Sequence, residues 1–519
     1  IGQPEACTGS LRVKLSVAPE IAEPLQTIAD RIAGDKVPVD GACVAFEINR
    51  ARPRDVFNRL SNDASDSPDL WIPDTWEWVS RIGIPHDRLL SLSPSVAASP
   101  LVLATTRSGA DAVRSQAGSW ASLAPAGKMA LGDAEKSGVA LSALLAIRRS
   151  LSDEPDVARD KLGTVILRLI KQRVADLGVE LDQAGRGGGL RRGVPATEQQ
   201  VLSVHREHPQ ADIVPVVPKS GTVLLDYPLV AVLHGKPRGG RLIEAGAALM
   251  RYVDSPRGRS ALRTAGFRDY RDQVPPSDPG NVGDVKVLSP ITMKDADDVL
   301  RSWAAMSLES RLLAVVDVSG SMVVPAGDRS RIELARDAAR TALSYFPDTS
   351  QVGLWEFSQN RDGPRGYLQL SPTGTLSAKH RQELDKDLDR LPQQVGGGTA
   401  LYDTFFAAYH TAQGGYDPSR VNSLVLLTDA CSAATDASAC KNEVTPGITL
   451  DRLVNLLKVD PARPISVILV GIGPDADIRS LQRIADTVGG RAYRAKSADD
   501  MEGIIIDSLL HRQCGSTCK

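Results

Sequence analysis

The sequence predicts an α/β protein with two domains, and three observations support this prediction. The chain has 519 residues, more than one ordinary hydrophobic core accommodates. Apolar runs alternate with amphipathic segments from Leu11 to about Tyr270, and again from Arg311 to the C-terminus. This alternation is typical of a parallel sheet flanked by helices. Between the two regions, residues 271–287 are rich in Pro, Gly and Asp and are predicted to form a linker.

Composition and charge exclude several classes of protein. Hydrophobic residues make up 42% of the chain and charged residues 24%, which is typical of a folded globular protein rather than a disordered, collagenous or coiled-coil one. The formal net charge of −2 leaves no basic excess for a nucleic-acid backbone, so we expect no nucleic-acid partner. The longest apolar run, Thr222–Leu233, contains Asp226 and is shorter than the roughly 20 residues of a spanning helix. We expect no membrane span in this chain.

The six cysteines form three pairs of sequence neighbours, for which we expect disulfides: Cys7 with Cys43, Cys431 with Cys440, and Cys514 with Cys518. Zinc binding is one alternative, but the sequence has no Cys-x-x-Cys motif and no histidine at ligand spacing. Inert buried thiols and lipidation of Cys7 are two others, and the polar residues 3–6 disfavour lipidation. Disulfides indicate an extracytoplasmic protein, either secreted or anchored at the cell surface through a segment outside this sequence.

The first region opens with a βαβαβ pattern. Strands are predicted at Leu11–Val17, Cys43–Ile48, Asp69–Pro73 and Lys128–Asp133, and helices at Pro19–Ala33, Pro53–Ser61 and from residue 134 to Leu151. The Gly-rich segment 185–193 lies between helical patterns, and we interpret it as a flexible surface loop. Its arginines, Arg186, Arg191 and Arg192, are only a weak indication of anion binding, because the Lys or strand-to-helix placement of known phosphate-binding loops is absent.

The second region contains a helical pattern at Lys294–Met306 and then a buried strand that ends in polar side chains. The segment Leu312–Met322 is apolar as far as Asp317, Ser319 and Ser321. Ligands of open parallel sheets bind beyond the carboxyl ends of the strands, so this Asp-x-Ser-x-Ser turn lies where a site is expected. Carboxylate and hydroxyl oxygens are hard ligands that suit Mg²⁺.

An Asp-x-Ser-x-Ser string alone is weak evidence, because Asp and Ser favour turns in any protein. Two later segments add a hydroxyl and a carboxylate: Thr399 opens a helix after a run of glycines, and Asp429 ends another buried strand. In order and spacing, the five residues resemble the metal-ion-dependent adhesion site of von Willebrand factor A (VWA) domains, which have a Rossmann-like, doubly wound fold. The resemblance extends to the predicted helix Arg331–Phe346, the core strands Val352–Phe357 and Ile465–Gly471, and the closing helix Ala498–His511.

The VWA resemblance implies a role for each residue of this site. Ser319, Ser321 and Thr399 would coordinate Mg²⁺, or Mn²⁺ or Ca²⁺, through their hydroxyls, and Asp317 and Asp429 would do so directly or through water. The sixth position would be open to an acidic side chain of a protein partner. The segment 430–439, beside the Cys431–Cys440 pair, departs from the family pattern, so partner preference is not predicted. The alternative is an intact fold with an empty site, because members of the family lose the metal.

Three strings in the first region resemble bacterial extracytoplasmic solute-binding proteins of the molybdate and sulfate type. They are Trp120–Leu123 before a strand ending at Asp133, Tyr227-Pro228 at the start of an apolar run, and Ser255–Arg268. The resemblance implies a two-lobed periplasmic-binding-protein-like domain over residues 9–270, with hinges near 99–106 and 212–217. A linker at 271–293 and a VWA domain at 294–519 complete the predicted organisation.

In this family, helix N-termini line a cleft between the lobes and bind anions or polar solutes through backbone N–H groups. The matching positions form the candidate ligand cleft, which comprises Ser16, Ala18, Trp71, Asp74, Asp133, Lys136, Ser137 and Tyr227. Asp74 and Asp133 place negative charge where an oxyanion-binding protein would have none, so no solute is named. A binding-protein fold that serves as a scaffold, without a small molecule, is an alternative with equal support.

The sequence predicts a protein that is not an enzyme, since it contains no Gly-x-Ser-x-Gly motif and no Walker loop. The first hypothesis is Mg²⁺-dependent adhesion to a protein partner. The second is a solute receptor of an ABC-type transporter, with the VWA domain as an assembly module. A third, a chelatase-like partner of an ATPase, is cytoplasmic and conflicts with the expected disulfides.

Overall fold

The computed structural model describes residues 7–82, 88–116, 118–124, 127–151, 155–233, 239–271, 273–276, 278, 280–290, 292–429 and 447–511. The chain divides into two compact units, residues 1–301 and 302–519. Both contain sheets and helices, so the predicted α/β class is confirmed. Among the described residues, no helix combines the length and apolar composition that crossing a bilayer requires.

Two sheets organise the first unit. Its strands are β1 (Ser10–Val17), β2 (Pro38–Val39), β3 (Ala42–Arg50), β4 (Leu70–Ile72), β5 (Leu89–Ser93), β6 (Ser99–Thr105), β7 (Val194–Thr197), β8 (Val214–Val216), β9 (Leu224–Leu225) and β10 (Leu229–Val232). One sheet has the order β2-β3-β1-β4-β10-β5, and β1 is parallel to β3 and β4. The other places β6 between β7 and β8, antiparallel to both, with β9 also paired to β6. This gives the first unit two sheet-based lobes.

The helices of the first unit cover both sheets. They are α1 (Ala22–Gly34), α2 (Pro53–Ser61), α3 (Trp76–Ser80), α4 (Arg107–Gln116), α5 (Trp120–Leu123), α6 (Gly138–Arg149), α7 (Pro155–Lys171), α8 (Leu177–Gln183), α9 (Glu198–Glu207), α10 (Gly239–Val253), α11 (Pro256–Thr264) and α12 (Met293–Ser307), the last of which crosses the boundary between the units. Prolines at the first position of α2 and α11 suit a helix start, where the missing N–H has no partner to lose.

Two local predictions for the first unit were wrong. The segment Lys128–Asp133 is not a strand: it makes one bridge, Met129 to Gly193. Gly193 also packs against Leu103 of β6, with which a Cβ at position 193 would collide. The loop predicted at 185–193 is wrong in its first part, because α8 continues as a π-helical turn, Ala184–Gly188, and residues 189–192 then form a loop. Gly187, inside that turn, has φ of +92°, a conformation that glycine adopts readily.

The segment after Arg268 packs on the first unit. Arg268 and Glu198 form a buried ion pair, with Nε–Oε2 and Nη2–Oε1 distances of 2.7 and 2.8 Å. The same pair binds the chain at residues 282–283, because Glu198 Oε1 accepts from the Val282 N–H and Arg268 donates to the Gly283 carbonyl. Further along, Leu288 donates to the Thr222 carbonyl. The predicted linker is therefore held to the first unit by specific hydrogen bonds at several points along residues 273–288.

The second unit has one six-stranded sheet, of order β15-β14-β11-β16-β17-β18, in which only β15 is antiparallel to its neighbour. Its strands are β11 (Ser310–Asp317), the short β12 (Pro325–Ala326) and β13 (Arg329–Ser330) outside that sheet, β14 (Gln351–Asp362), β15 (Arg365–Thr375), β16 (Val421–Thr428), β17 (Ser466–Ile472) and β18 (Arg491–Ala495). Its helices are α13 (Arg331–Tyr345), α14 (Ala378–Arg390), α15 (Leu401–Gly414), α16 (Leu450–Leu456), α17 (Ile478–Val488) and α18 (Ala498–Leu510). The central strands are buried on both faces, as a doubly wound sheet requires.

One expected disulfide is confirmed. Cys7 and Cys43 are bonded and tie the start of the chain to β3, the neighbour of β1. The other two expected pairs, Cys431 with Cys440 and Cys514 with Cys518, lie outside the described residues.

Replacing Arg268 with Met should destabilise the first unit, because the change leaves the Glu198 carboxylate buried without its partner. We expect the free energy of unfolding to fall by about 3–5 kcal/mol in chemical denaturation. Trypsin cleavage after Lys286 should also accelerate, since the segment loses its anchor. The matched control is Arg271→Met, which removes an exposed pair with Asp254 and should leave the free energy of unfolding nearly unchanged. Equal losses in both variants would contradict the anchoring role.

Candidate functional site

Three segments of the second unit meet at the carboxyl end of its sheet. β11 ends at Asp317, and the adjacent parallel strand β16 ends at Thr428, whose hydroxyl donates to Asp317 Oδ2 at 2.5 Å. The glycine run before Thr399 binds the turn after β11, because Gly320 donates to the Gly397 carbonyl and Gly396 to the Val318 carbonyl. The structure therefore brings the three predicted segments to one edge of the sheet.

The Asp-x-Ser-x-Ser turn is buried and internally bonded. The Ser319 amide donates to Asp317 Oδ1 at 2.8 Å, and the Ser319 and Ser321 hydroxyl oxygens are 3.2 Å apart. All three side chains are almost fully buried. Ser321 lies in the 3₁₀ turn Gly320–Val323, which follows the strand directly. This turn aims two hydroxyls and a carboxylate at one place, while Thr399 is half-buried on the neighbouring loop.

Asp429 follows β16 and is paired with an arginine. Arg331 Nη1 donates to Asp429 Oδ2 at 2.8 Å, and Arg331 Nη2 also binds Asp475. Arg331 and Asp429 are both buried. The arginine is the first residue of α13, whose N-terminus is fixed by a reciprocal capping interaction between Ser330 and Glu333. A helix end therefore delivers a buried positive charge to the fifth predicted ligand.

Burial raises the pKa of Asp317 to about 7, and the charge of Asp429 contributes to the rise. Two carboxylates that share a buried edge of a sheet favour a cation there. The donor set fits a small, hard divalent ion, because it combines carboxylates with hydroxyls and contains no thiolate or imidazole. Among the described residues, no group of three or more His, Cys, Asp and Glu side chains could hold a metal, so a metal at this site would depend on the hydroxyls.

Sequence reasoning missed Arg331 and Thr428. Thr428 precedes a named residue, but nothing in a single sequence shows which way its hydroxyl points. Arg331 did leave a signal: a cation in the first turn of a helix opposes the helix dipole. Such an unfavourable position indicates an acidic partner from another element, here Asp429.

The residues of the candidate ligand cleft lie mostly in packed positions. Ser16, Ala18, Trp71, Asp74 and Tyr227 are buried, Asp133 and Ser137 are half-buried, and Lys136 is exposed. Lys136 pairs with Asp133 at 3.0 Å, and Ser137 caps α6. Asp74 accepts from the Trp78 indole at 2.8 Å, and its carboxylate lies against Gly138, where a side chain would collide with it. An acidic side chain thus lies at the start of the α6 helix.

Tyr227 lies among acidic side chains, of which Glu20 was not predicted as part of a site. Its hydroxyl donates to Glu20 at 2.9 Å, its ring meets Phe267 edge to face, and its φ of +44° is uncommon for a non-glycine residue. Burial raises the pKa of Glu20, and it raises that of Asp74 well above the usual range with help from Glu20. These carboxyls therefore hold protons more strongly than free carboxyls do.

A cleft of about 1020 Å³ opens in the first unit beyond the carboxyl ends of β1 and β3. Its wall includes Glu20, Arg50, Gln199, Gln200 and Arg257. Among the described residues that line it, none belongs to the eight of the candidate ligand cleft. The position beyond the strand ends is where open α/β sheets bind ligands, so this cleft is a second location for a solute.

Comparison with known proteins gives a match for each unit. Residues 13–268 match the family of bacterial extracellular solute-binding proteins, and residues 312–432 match the von Willebrand factor type A domain. Uncharacterized proteins of two Mycobacterium tuberculosis strains, CDC 1551 and H37Rv, are each 26% identical over 534 residues, covering 93% of this chain and 74% of their own length.

Solved structures give weaker similarities. A von Willebrand factor type A protein from Catenulispora acidiphila has a TM-score of 0.30 and 18% identity, and the match covers 39% of this chain and 42% of that protein. A periplasmic thiamin binding protein has a TM-score of 0.44 and 11% identity over 57% of this chain and 95% of its own. Iron-bound HitA from Pseudomonas aeruginosa has a TM-score of 0.43 and 14% identity over 57% and 98%.

Stability of the first unit should depend on Asp226, a neighbour of Tyr227. Burial raises its pKa from 3.8 to about 7, with help from Glu77. Because the folded-state pKa is the higher one, this carboxyl reduces stability progressively as the pH rises from about 4 to about 7. Asp226→Asn retains the oxygen that accepts from the Trp76 amide, so its melting temperature should exceed the wild-type value at pH 8 and equal it near pH 4.

Thermal unfolding across this pH range measures the Asp226 effect. Asp226→Ala is the control, because it removes the charge and also the acceptor for Trp76, and should therefore gain less than the Asn variant at pH 8. Identical profiles for the wild type and Asp226→Asn would show that this half-buried carboxyl has no such influence.

Proposed function

The chain combines a bacterial extracellular solute-binding domain with a VWA domain, and from this combination we propose that it binds a protein partner outside the cytoplasm through a Mg²⁺-dependent site. The observation that carries the proposal is the buried convergence of Asp317, Ser319 and Ser321 at the end of β11, beside Asp429. The Cys7–Cys43 bond supports an oxidising compartment, secreted or at the cell surface. The proposed role is adhesion or assembly rather than catalysis.

Each residue has a role in this proposal. Ser319, Ser321 and Thr399 provide hydroxyl ligands, and Asp317 and Asp429 provide carboxylates directly or through water. Mg²⁺, with Mn²⁺ and Ca²⁺ as alternatives, supplies the positive charge that attracts an acidic side chain of the partner. Hydroxyl ligands are neutral, so the groups that bind the cation directly leave part of its positive charge unneutralised. The partner's carboxylate then completes the set.

Mg²⁺ should stabilise the second unit of the wild-type protein and leave Asp317→Ala unaffected. By mass action, Mg²⁺ at about 100 times its Kd adds about 2.7 kcal/mol to the free energy of unfolding. Differential scanning calorimetry with Mg²⁺ and with EDTA measures the shift. Ser319→Ala should reduce it, whereas Ser344→Ala, at an exposed serine on α13, should keep it. A full shift in Asp317→Ala would place the cation elsewhere.

Partner binding is the second readout of the same proposal. Surface proteins captured on the immobilised wild-type chain should elute with EDTA, and Asp317→Ala should not capture them. Capture that persists in EDTA and in the variant would mean that adhesion does not use this site.

A solute receptor of an ABC-type transporter, with the VWA domain as an assembly module, is the second candidate function. The observation that favours it is the cleft of about 1020 Å³ beyond the ends of β1 and β3. Native mass spectrometry of the protein purified from its own source should then show a bound small molecule. Arg50→Glu, which reverses a charge in the wall of the cleft, should release that molecule, while Asp317→Ala should retain it. A mass equal to that of the bare chain would favour the scaffold role.

A further inference from the structure

We propose that Arg331 is an internal competitor of the divalent cation, which neutralises Asp429 and thereby keeps metal binding weak and dependent on a partner. The inference rests on the proposed metal site. Three observations point to it: the buried Arg331–Asp429 pair, the second contact of Arg331 with Asp475, and a backbone shaped to accommodate the guanidinium.

The position of Arg331 is built into the fold. Its amide donates to the Val324 carbonyl at 3.1 Å, which connects the helix start to the turn after Ser321. Gly473, at the end of β17, has φ of +101°, and a Cβ there would come within 2.9 Å of the Arg331 Nε atom. The guanidinium therefore occupies a space that a side chain at position 473 would fill. Helix α13 and the end of β17 therefore hold the Arg331 guanidinium in place.

Charge counting shows what the arginine changes. Asp317, Asp429 and Asp475 together with Arg331 carry a formal charge of −2 when all are ionised. The exposed Arg494 lies near Asp475 and its charge acts on that carboxylate, although its hydrogen bonds go to the carbonyls of Pro474 and Ala476. Without Arg331, the same site would carry −3 and would attract the cation more strongly.

The arginine also explains how the domain can fold in the absence of metal. A buried carboxylate without a partner is strongly destabilising, and Arg331 supplies a partner for Asp429 that does not depend on a metal ion. A metal ion would then bind where one of the two site carboxylates, Asp429, is already neutralised by Arg331. The consequence is a low affinity, which the partner's carboxylate raises because it brings further negative charge to the cation.

The test compares Arg331→Met with Asp475→Asn by isothermal titration with Mg²⁺ alone. Arg331→Met should bind Mg²⁺ about tenfold more tightly than the wild type, since it removes a neighbouring positive charge and releases Asp429. It should also melt at a lower temperature in EDTA. Asp475→Asn weakens the hold on Arg331 and removes one negative charge from the cluster, so it should melt lower and bind Mg²⁺ less tightly than the wild type. A purely structural role for Arg331 would lower both melting temperatures and leave the Kd of Arg331→Met at the wild-type level.

The outcomes separate the two proposals. If the wild type binds Mg²⁺ and Arg331→Met binds it equally or more weakly, the competitor role is wrong and the metal site stands. If neither protein binds Mg²⁺, the proposed metal site itself fails. Should Arg331→Met be unfolded in EDTA, Mg²⁺ is expected to refold it, and failure to refold at saturating Mg²⁺ would overturn the inference. Arg331→Lys, which keeps the charge, should retain a Kd close to that of the wild type.

Discussion

The buried carboxylates of Asp317 and Asp429 are the constraint on which the second unit depends. They come together because β11 and β16 are adjacent and parallel, so both chains leave the sheet at the same edge. Placing them there without positive charge would cost several kcal/mol. The chain meets this requirement unequally. Asp429 has a guanidinium partner, whereas within the described part of the chain Asp317 accepts from two neutral groups, the Ser319 amide and the Thr428 hydroxyl. Because Asp317 is buried without a positively charged partner of this kind, its pKa is raised to about 7.

Carboxyl groups in the first unit also have two kinds of partner, a cation or neutral polar groups. Glu198 is fully paired with Arg268, and this pair also fixes the backbone at Val282 and Gly283. Around Tyr227, the carboxyls of Glu20 and Asp74 have polar but neutral partners, and burial raises the pKa of both. The ion pair of Glu198 therefore holds elements of the fold together. Glu20 and Asp74, whose partners are neutral, form a region whose charge depends on pH.

Sequence reasoning succeeded where a local pattern determines the outcome. Strand β1 follows from alternation, helix α2 from the proline at its first position, and the polar site residues from the end of the apolar run of β11. It failed where a contact is non-local. The segment Lys128–Asp133 has the composition of a strand, yet it makes one bridge because its neighbour is the single residue Gly193. Likewise, the resemblance to VWA domains pointed to the five residues of the proposed metal site, but the link of Asp429 to Arg331 joins residues 98 positions apart.

An arginine suits position 331 better than a lysine for a geometric reason. Asp429 and Asp475 follow different strands of the sheet, and one planar guanidinium donates to both through separate nitrogens. A lysine ammonium is a compact point charge on a flexible stem. It would pair with one of the two carboxylates and leave the other without this neutralising charge. Since Gly473 leaves space beside Nε and Cζ, the pocket matches the flat shape as well as the charge. The backbone around the site is therefore adapted to the guanidinium of Arg331, and the turn of Ser319 and Ser321 is the part of the proposed site that remains for an exchangeable metal ion.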